Sequence, residues 1–125
     1  MQRVVRIIVG LAGLLSILLG ARFFHDPAAA ATLLGVTPAG ELGIATLRGD
    51  FGAFFGLCGI LALAAAIRNS AALVTAPLLA IVIALAGRIV SYALEGGGLA
   101  VLQPMLVELM LLIVFGLGRL ALARA

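Results

Sequence analysis

Four long apolar stretches dominate the pattern of hydrophobic and polar positions along this chain. Each has roughly the 20 apolar residues that a helix needs to cross a bilayer, whereas a membrane-barrel strand has about 10 residues in strict alternation. The links between the stretches are short, which places neighbouring helices antiparallel. The pattern therefore predicts an all-α integral membrane protein, a bundle of four antiparallel transmembrane helices in a single domain. The predicted spans are about 4–24, 44–67, 71–94 and 99–123.

Prolines near the starts of the last two spans allow two alternative first residues for each helix. The third helix begins at Ala71 or at Ala76, with Pro77 as a kink or a first-turn residue, and the fourth begins at Leu99 or at Pro104. The first stretch has an alternative too, since "MQRVVR" before an apolar run is typical of a secretory signal. We predict a span instead, because the run continues to "ARFF" before any small-residue cleavage region and three further stretches follow.

The link after the first span, "HDPAAAATLLGVTPAG", contains helix start and stop signals. Asp26 followed by Pro27 is a capping residue with a first-turn proline, and Gly35 is typical of the residue just past a helix end. We therefore predict a short interfacial helix over about 27–34. Thr37 and Pro38 repeat the start signal, so the second long helix is able to begin early and protrude or tilt.

Composition supports a membrane protein and excludes several kinds of chemistry. Of the 125 residues, 65% are hydrophobic and only 10% are charged. A lone Cys58 excludes a paired-cysteine redox reaction within one chain, and the absence of lysine excludes a retinal Schiff base. With one histidine and no His/Cys cluster, we expect no metal and no cofactor, and we lean against an enzyme.

The arginines predict the orientation. If the amino terminus is cytoplasmic, five of them fall on the inner side, as the positive-inside rule requires of cytoplasmic segments. These are Arg3, Arg6, Arg68, Arg119 and Arg124. Their spread over three segments explains the basic charge without a nucleic-acid partner. We therefore expect both termini to lie in the cytoplasm.

The same topology collects the remaining charges, including every carboxylate, in the outer half. At about 1.5 Å per residue, Arg48 lies roughly 9 Å below Leu42, Arg88 roughly 10 Å below Glu95, and Glu108 about 6–13 Å below the start of its span. The outer set comprises Arg22, His25, Asp26, Glu41, Arg48, Asp50, Arg88, Glu95 and Glu108, with Ser91, Tyr92 and Gln103.

Helical phase sorts these residues further. In "RIVSYALE" the polar residues recur at i, i+3, i+4 and i+7, which is one helix face. Arg48 shares a face with Gly52, Gly56 and Gly59, a small-residue surface that lets another helix approach closely, and Gly13, Ser16 and Gly20 form a similar face. Asp50 lies about 200° from Arg48 unless the helix is locally irregular. The predicted ligand-binding residues are Arg48, Asp50, Arg88, Ser91, Tyr92, Glu95 and Glu108, with Arg22, His25, Asp26 and Gln103 at the rim.

A purely structural explanation competes with a binding site. Charges near span ends reach the headgroups, whereas each isolated charge at the bilayer centre costs on the order of 3 kcal/mol. Arg48, Asp50, Arg88 and Glu108 therefore form either a structural network or a site for a ligand, ion or proton. The outer half has three arginines and five carboxylates, so two carboxylates remain even if every arginine is paired.

The order of sequence features has a counterpart in a known family. A first span ending "FFHDP" is followed by "LLGV", then by "LRGDFGAFFGLCGILAL", "GRIVSYALEG" and "PMLVELM". This order resembles a family of small bacterial four-span membrane proteins of unknown function, loosely DoxX-like. The resemblance implies a four-helix inner-membrane protein with polar residues converging on the outer side, and it supplies no reaction.

Three functions remain open at this point. The bundle binds a lipid or another small polar or amphipathic ligand in its outer half, with arginine on an anionic group and apolar walls around a tail. Alternatively, it is an accessory or scaffolding subunit, in a homo-oligomer or a larger membrane complex, and its charges are structural. An enzyme performing acid-base chemistry on a lipid is third, because nothing fixes a substrate.

Overall fold

The computed structural model describes residues 1–124, which fold into helices and short connections with no strand in that range. Four helices are long and apolar enough to cross a membrane: Gln2–His25, Gly40–Arg68, Ala71–Glu95 and Gly98–Ala123. The predicted all-α class is therefore confirmed, together with four helices of the length and hydropathy that a membrane span needs. The elements are α1 (Gln2–His25), α2 (Pro27–Thr32), α3 (Gly40–Thr46), a π-helical segment (Leu47–Phe51), α4 (Gly52–Arg68), α5 (Ala71–Glu95) and α6 (Gly98–Ala123).

Local capping chemistry explains the boundaries around α2. The Asp26 carboxylate accepts a hydrogen bond from the Ala29 backbone N–H at 3.1 Å, and Pro27 occupies the first turn. The helix ends at Thr32, two residues earlier than the sequence indicates, and the chain turns through Gly35 at φ +69°. At the other prolines, α5 starts at Ala71 and α6 at Gly98, so the earlier of the two predicted starts holds in each case.

The second long helix is interrupted by the π-helical segment. Here the backbone N–H groups bond five residues back instead of four, and the segment contains both Arg48 and Asp50. It joins α3 to α4 without a break, so that Gly40–Arg68 forms one helix of 29 residues. This helix begins four residues before the predicted span and is long enough to protrude, as the Thr37 and Pro38 signals suggest.

Helices α1 and α4 pack at very short range through glycines. A Cβ added to Gly13 would lie 2.8 Å from the Gly59 carbonyl oxygen, and one added to Gly20 would lie 2.8 Å from the Gly56 nitrogen. Ser16 between them donates a hydrogen bond to the Phe55 carbonyl at 2.8 Å. The two predicted small-residue faces therefore lie against each other, with backbone in contact with backbone.

Hydrogen bonds connect the chain ends with each other. Gln2 in α1 donates its side-chain amide to the Ala121 carbonyl in α6 at 3.3 Å, and Arg119 donates to Thr75 in α5 at 3.1 Å. We call this end of the molecule the terminal end. We call the opposite end, which contains α2 and α3, the α3 end.

Two hydrophobic clusters divide the packing between these ends. The cluster toward the terminal end draws on all four long helices and is built from Val9, Ala62, Ala65, Ala66, Val74, Ile81, Phe115 and Leu122. The cluster toward the α3 end joins α1, α2 and the π-helical segment through Phe23, Ala30, Ala31 and Leu47. Residues 82–110, the halves of α5 and α6 toward the α3 end, belong to neither cluster. This half of the α5–α6 pair therefore packs chiefly on itself.

Candidate functional site

Arg48 caps the carboxyl-terminal end of α1. Its Nε donates a hydrogen bond to the Phe24 carbonyl oxygen at 3.0 Å. The last four carbonyls of any α-helix lack partners inside the helix, and that end carries partial negative charge. The guanidinium satisfies one of these carbonyls and matches the sign of the helix end. This contact explains why the apolar second helix contains an arginine at this position.

Arg6 makes the reciprocal contact at the terminal end. Its Nε donates to the Ala66 carbonyl at 3.0 Å and its Nη2 to the Ile67 carbonyl at 3.5 Å, both in the last turn of α4. The end of α4 is therefore capped by Arg6 from α1. The end of α1 is capped by Arg48, which belongs to the π-helical segment that runs into α4. The distribution of arginines along the sequence indicates only a role in orientation for Arg6 and does not reveal this contact.

The packing also revises the depth of Arg48. A Cβ on Gly52 would lie 2.8 Å from the Phe24 ring, so Arg48 and Gly52 are level with the end of α1. The eight residues from Gly40 to Leu47 extend about 12 Å beyond that level. Leu42, from which the sequence counts the depth of Arg48, therefore lies beyond the level at which α1 ends.

Asp50 lies on the same π-helical segment and is exposed. Within residues 1–124 its carboxylate forms no ion pair with Arg48, whose Nε contact is to α1. The predicted 200° separation assumed a regular helix, and the π-helical hydrogen bonding is the local irregularity that was left open.

Arg88 and Glu108 join α5 to α6 through one ion pair. Arg88 Nε and Glu108 Oε1 are 2.6 Å apart, and the side chains are 34% and 12% exposed. The other oxygen, Glu108 Oε2, is buried and accepts no hydrogen bond from the described residues. A buried carboxylate oxygen without a donor is costly, so this atom has an unused capacity to accept a hydrogen bond.

The pair lies deeper than Arg48. Gly118 of α6 packs on Val9 of α1, and Glu108 is ten residues, about 15 Å, toward the α3 end. From Val9, Phe24 lies about 22 Å in the same direction. The Arg88–Glu108 pair is therefore about 7 Å nearer the terminal end than Arg48.

The other predicted residues surround these two positions. On the predicted polar face of α5, Ser91, Tyr92 and Glu95 are exposed and continue from Arg88 to the helix end. Gln103 is exposed on α6. At the rim, Arg22 and His25 occupy the last turn of α1. In the structure Arg88 and Glu108 contact each other, whereas Arg48 contacts the end of α1.

Two open grooves flank α3. One, of about 570 Å³, is lined by Pro38, Gly40, Glu41, Ile44, Ala45 and Arg48. The other, of about 370 Å³, is lined by Val36, Thr37, Pro38, Ala39, Leu42, Gly43, Thr46, Leu47 and Phe51. From its place near the start of the second span, Glu41 is predicted only to belong to the outer set of charges and to reach the headgroups. Its spacing of seven residues from Arg48 is the signal that both line one groove.

No group of three or more His, Cys, Asp or Glu side chains suited to a metal ion occurs in residues 1–124. Comparison of the chain with family models, with curated proteins and with solved structures finds no match. The class that fold and sequence define is a small multi-pass membrane protein. The resemblance to DoxX-like proteins stays a prediction.

Proposed function

We propose that this protein binds a small polar or amphipathic, lipid-like ligand in the outer half of an antiparallel four-helix bundle. In this proposal the bundle lies in a bacterial inner membrane with both termini in the cytoplasm, so that the α3 end is the outer side. The ligand lies beside the Arg88–Glu108 pair, and Ser91, Tyr92 and Glu95 lead from the pair to the surface.

The contacts between helices support this arrangement. Gly10 of α1 lies against Ala66 of α4, and Gly20 lies against Gly56, so these two helices are antiparallel. In α5 and α6, Arg88 pairs with Glu108 while Thr75 pairs with Arg119, which is the same relation. The predicted inner arginines at the terminal end agree with the positive-inside rule.

The observation that carries the proposal is the unused Glu108 Oε2. Arg88 neutralises the carboxylate through Oε1 only, and a ligand hydroxyl or amine would donate to the second oxygen. Arg88 is one-third exposed and has further N–H donors for an oxygen of the same ligand. A headgroup with both a donor and an acceptor fits this pair.

The outer half also offers apolar walls. Residues 82–110 belong to neither hydrophobic cluster, and a Cβ added to Gly56 or Gly87 would meet nothing within 4 Å. Open space next to apolar helix surface suits an acyl or other hydrocarbon tail. The polar pair would then fix the head of the ligand while these surfaces contact the tail.

Native mass spectrometry of the protein released from membranes tests the proposal. We expect wild type to retain a small lipid-like molecule at this pair, and expect replacement of Arg88 and Glu108 together by Met to lower the number of retained molecules by one. A buried ion pair exchanged for apolar residues of similar size is often neutral for stability, so the fold should persist. Thr75→Val, at the terminal end, is the control and should keep the ligand. Retention by the double variant at the wild-type level would overturn the proposal.

An accessory or scaffolding role is the second candidate, and one observation favours it. Large apolar side chains are strongly exposed along the α5–α6 pair toward the α3 end, with Ile83 71%, Leu94 77% and Leu99 84% exposed. Such a surface suits another transmembrane partner as well as lipid. The same spectra separate the two, because a subunit role predicts a mass above that of one chain without a bound small molecule.

A further inference from the structure

The larger groove beside α3 combines a cation and an anion in a fixed order. Arg48 and Glu41 both line it, with Pro38, Ile44 and Ala45 as apolar lining between and around them. The two charged residues are seven positions apart on one helix, which is about 10 Å along its axis. This groove is separate from the Arg88–Glu108 pair, which belongs to α5 and α6.

Arg48 is held in place while part of its guanidinium remains available. The Nε bond to the Phe24 carbonyl anchors the side chain at the end of α1. In residues 1–124 neither Arg48 nor Glu41 has an ion-pair partner, and both are exposed. The Arg48 amino groups and the Glu41 carboxylate are therefore free to meet a charged molecule in the groove.

The order of the charges matches the order of charges in a phospholipid. Arg48 is level with the end of α1, where a span meets the headgroups, and Glu41 is farther from the spans. The headgroup layer adds about 5–8 Å on each side of the hydrocarbon core. In a zwitterionic phospholipid the phosphate lies next to the acyl region, and the ammonium lies beyond it.

We propose that this groove binds the headgroup of a zwitterionic phospholipid. The Arg48 amino groups donate to the phosphate, the Glu41 carboxylate pairs with the ammonium, and Ile44, which lies between them on the helix, contacts the carbon linker between phosphate and ammonium. An anionic lipid such as phosphatidylglycerol lacks the ammonium, so that its phosphate meets Arg48 while the Glu41 carboxylate has no cationic partner and repels the net negative charge of the lipid. The site does not depend on the function proposed for Arg88 and Glu108.

Lipid binding to the full-length protein in detergent micelles tests this site. The probes are phosphatidylethanolamine and phosphatidylglycerol with identical acyl chains, and native mass spectrometry counts the lipids bound. We expect wild type to bind phosphatidylethanolamine about fivefold more tightly, which corresponds to one exposed ion pair of about 1 kcal/mol. Glu41→Gln should weaken the binding of phosphatidylethanolamine and strengthen the binding of phosphatidylglycerol, which removes the preference between the two lipids.

Three further variants sharpen the result. Glu41→Asp keeps the charge and should keep the preference, and Thr46→Ala alters only the opposite groove and should also keep it. Arg48→Met should weaken both lipids, because both carry a phosphate. Arg48 also caps α1, so the Arg48→Met variant is at risk of not folding. In that case the lipid preference of Glu41→Gln alone tests the proposal. Equal binding of the two lipids by wild type, or an unchanged preference in Glu41→Gln, would overturn the proposal.

Discussion

Arginines in this protein act as caps for helices other than their own. Arg6 reaches the last turn of α4 and Arg48 the last turn of α1. Carbonyls at a helix end are satisfied by water in a soluble protein, but water is scarce toward the hydrocarbon region. A long cationic side chain from the neighbouring helix supplies the donor and opposes the partial negative charge of the helix end.

Replacing Arg6 should therefore destabilise the protein. We expect Arg6→Met to lower the free energy of unfolding by about 1–3 kcal/mol, because two α4 carbonyls lose their charged donor. Thermal or denaturant unfolding in detergent measures the change. Arg3→Met is the matched control, since Arg3 is exposed at the same end and donates no hydrogen bond within residues 1–124. Equal losses in the two variants would contradict the capping role.

At the scale of helices, the sequence predicts structure well at positions where a residue type has a single structural role. Glycines at spacings of three and four predicted the two faces suited to close helix contact, though not that these faces meet each other, and Asp26 with Pro27 predicted α2. The π-helical segment was not predictable in this way, because no single residue type demands a shifted hydrogen-bond register. The partner of Arg48 was missed for the same reason, since a backbone carbonyl has no signature in the sequence.

The α1–α4 contact predicts opposite effects for two glycine substitutions. A Cβ on Gly59 would lie 2.6 Å from the Gly13 carbonyl oxygen, so Gly59→Ala must push the helices apart and cost about 1–3 kcal/mol. Gly87 has nothing within 4 Å of that position, and Gly87→Ala should stabilise α5 by up to about 1 kcal/mol. Unfolding midpoints in one detergent compare them. Shifts of the same sign would show that helix propensity, and not close packing, governs these sites.

For the whole molecule, the sequence predicted which charges fall at each end but not how they pair. The start of α1 and the end of α6 lie at the terminal end with Arg6 and Arg119, as the alternating direction of four long helices requires. Which charged residues pair depends on how far α3 extends beyond the end of α1. It depends also on the position along α5 and α6 at which their contacts with the hydrophobic clusters end. These distances follow from side-chain packing across helices, which the spacing within a helix does not report.

The proposed topology predicts a pattern of chemical labelling. In a Cys58→Ser background, Thr32→Cys or Leu99→Cys should react with a membrane-impermeant thiol reagent added to intact cells, because both side chains are exposed at the α3 end. Gln2→Cys at the terminal end should react only after the membrane is permeabilised. Labelling of Gln2→Cys in intact cells would place the amino terminus outside.

The reciprocal arginine caps also bear on the order of events during synthesis. Both partners of each cap, and every glycine of the α1–α4 contact, lie within residues 1–68. The ribosome has therefore made all the groups that this helix pair needs before it begins α5. The first two spans are able to leave the insertion machinery as a finished hairpin with both ends closed. The α5–α6 hairpin then joins a surface that already exists.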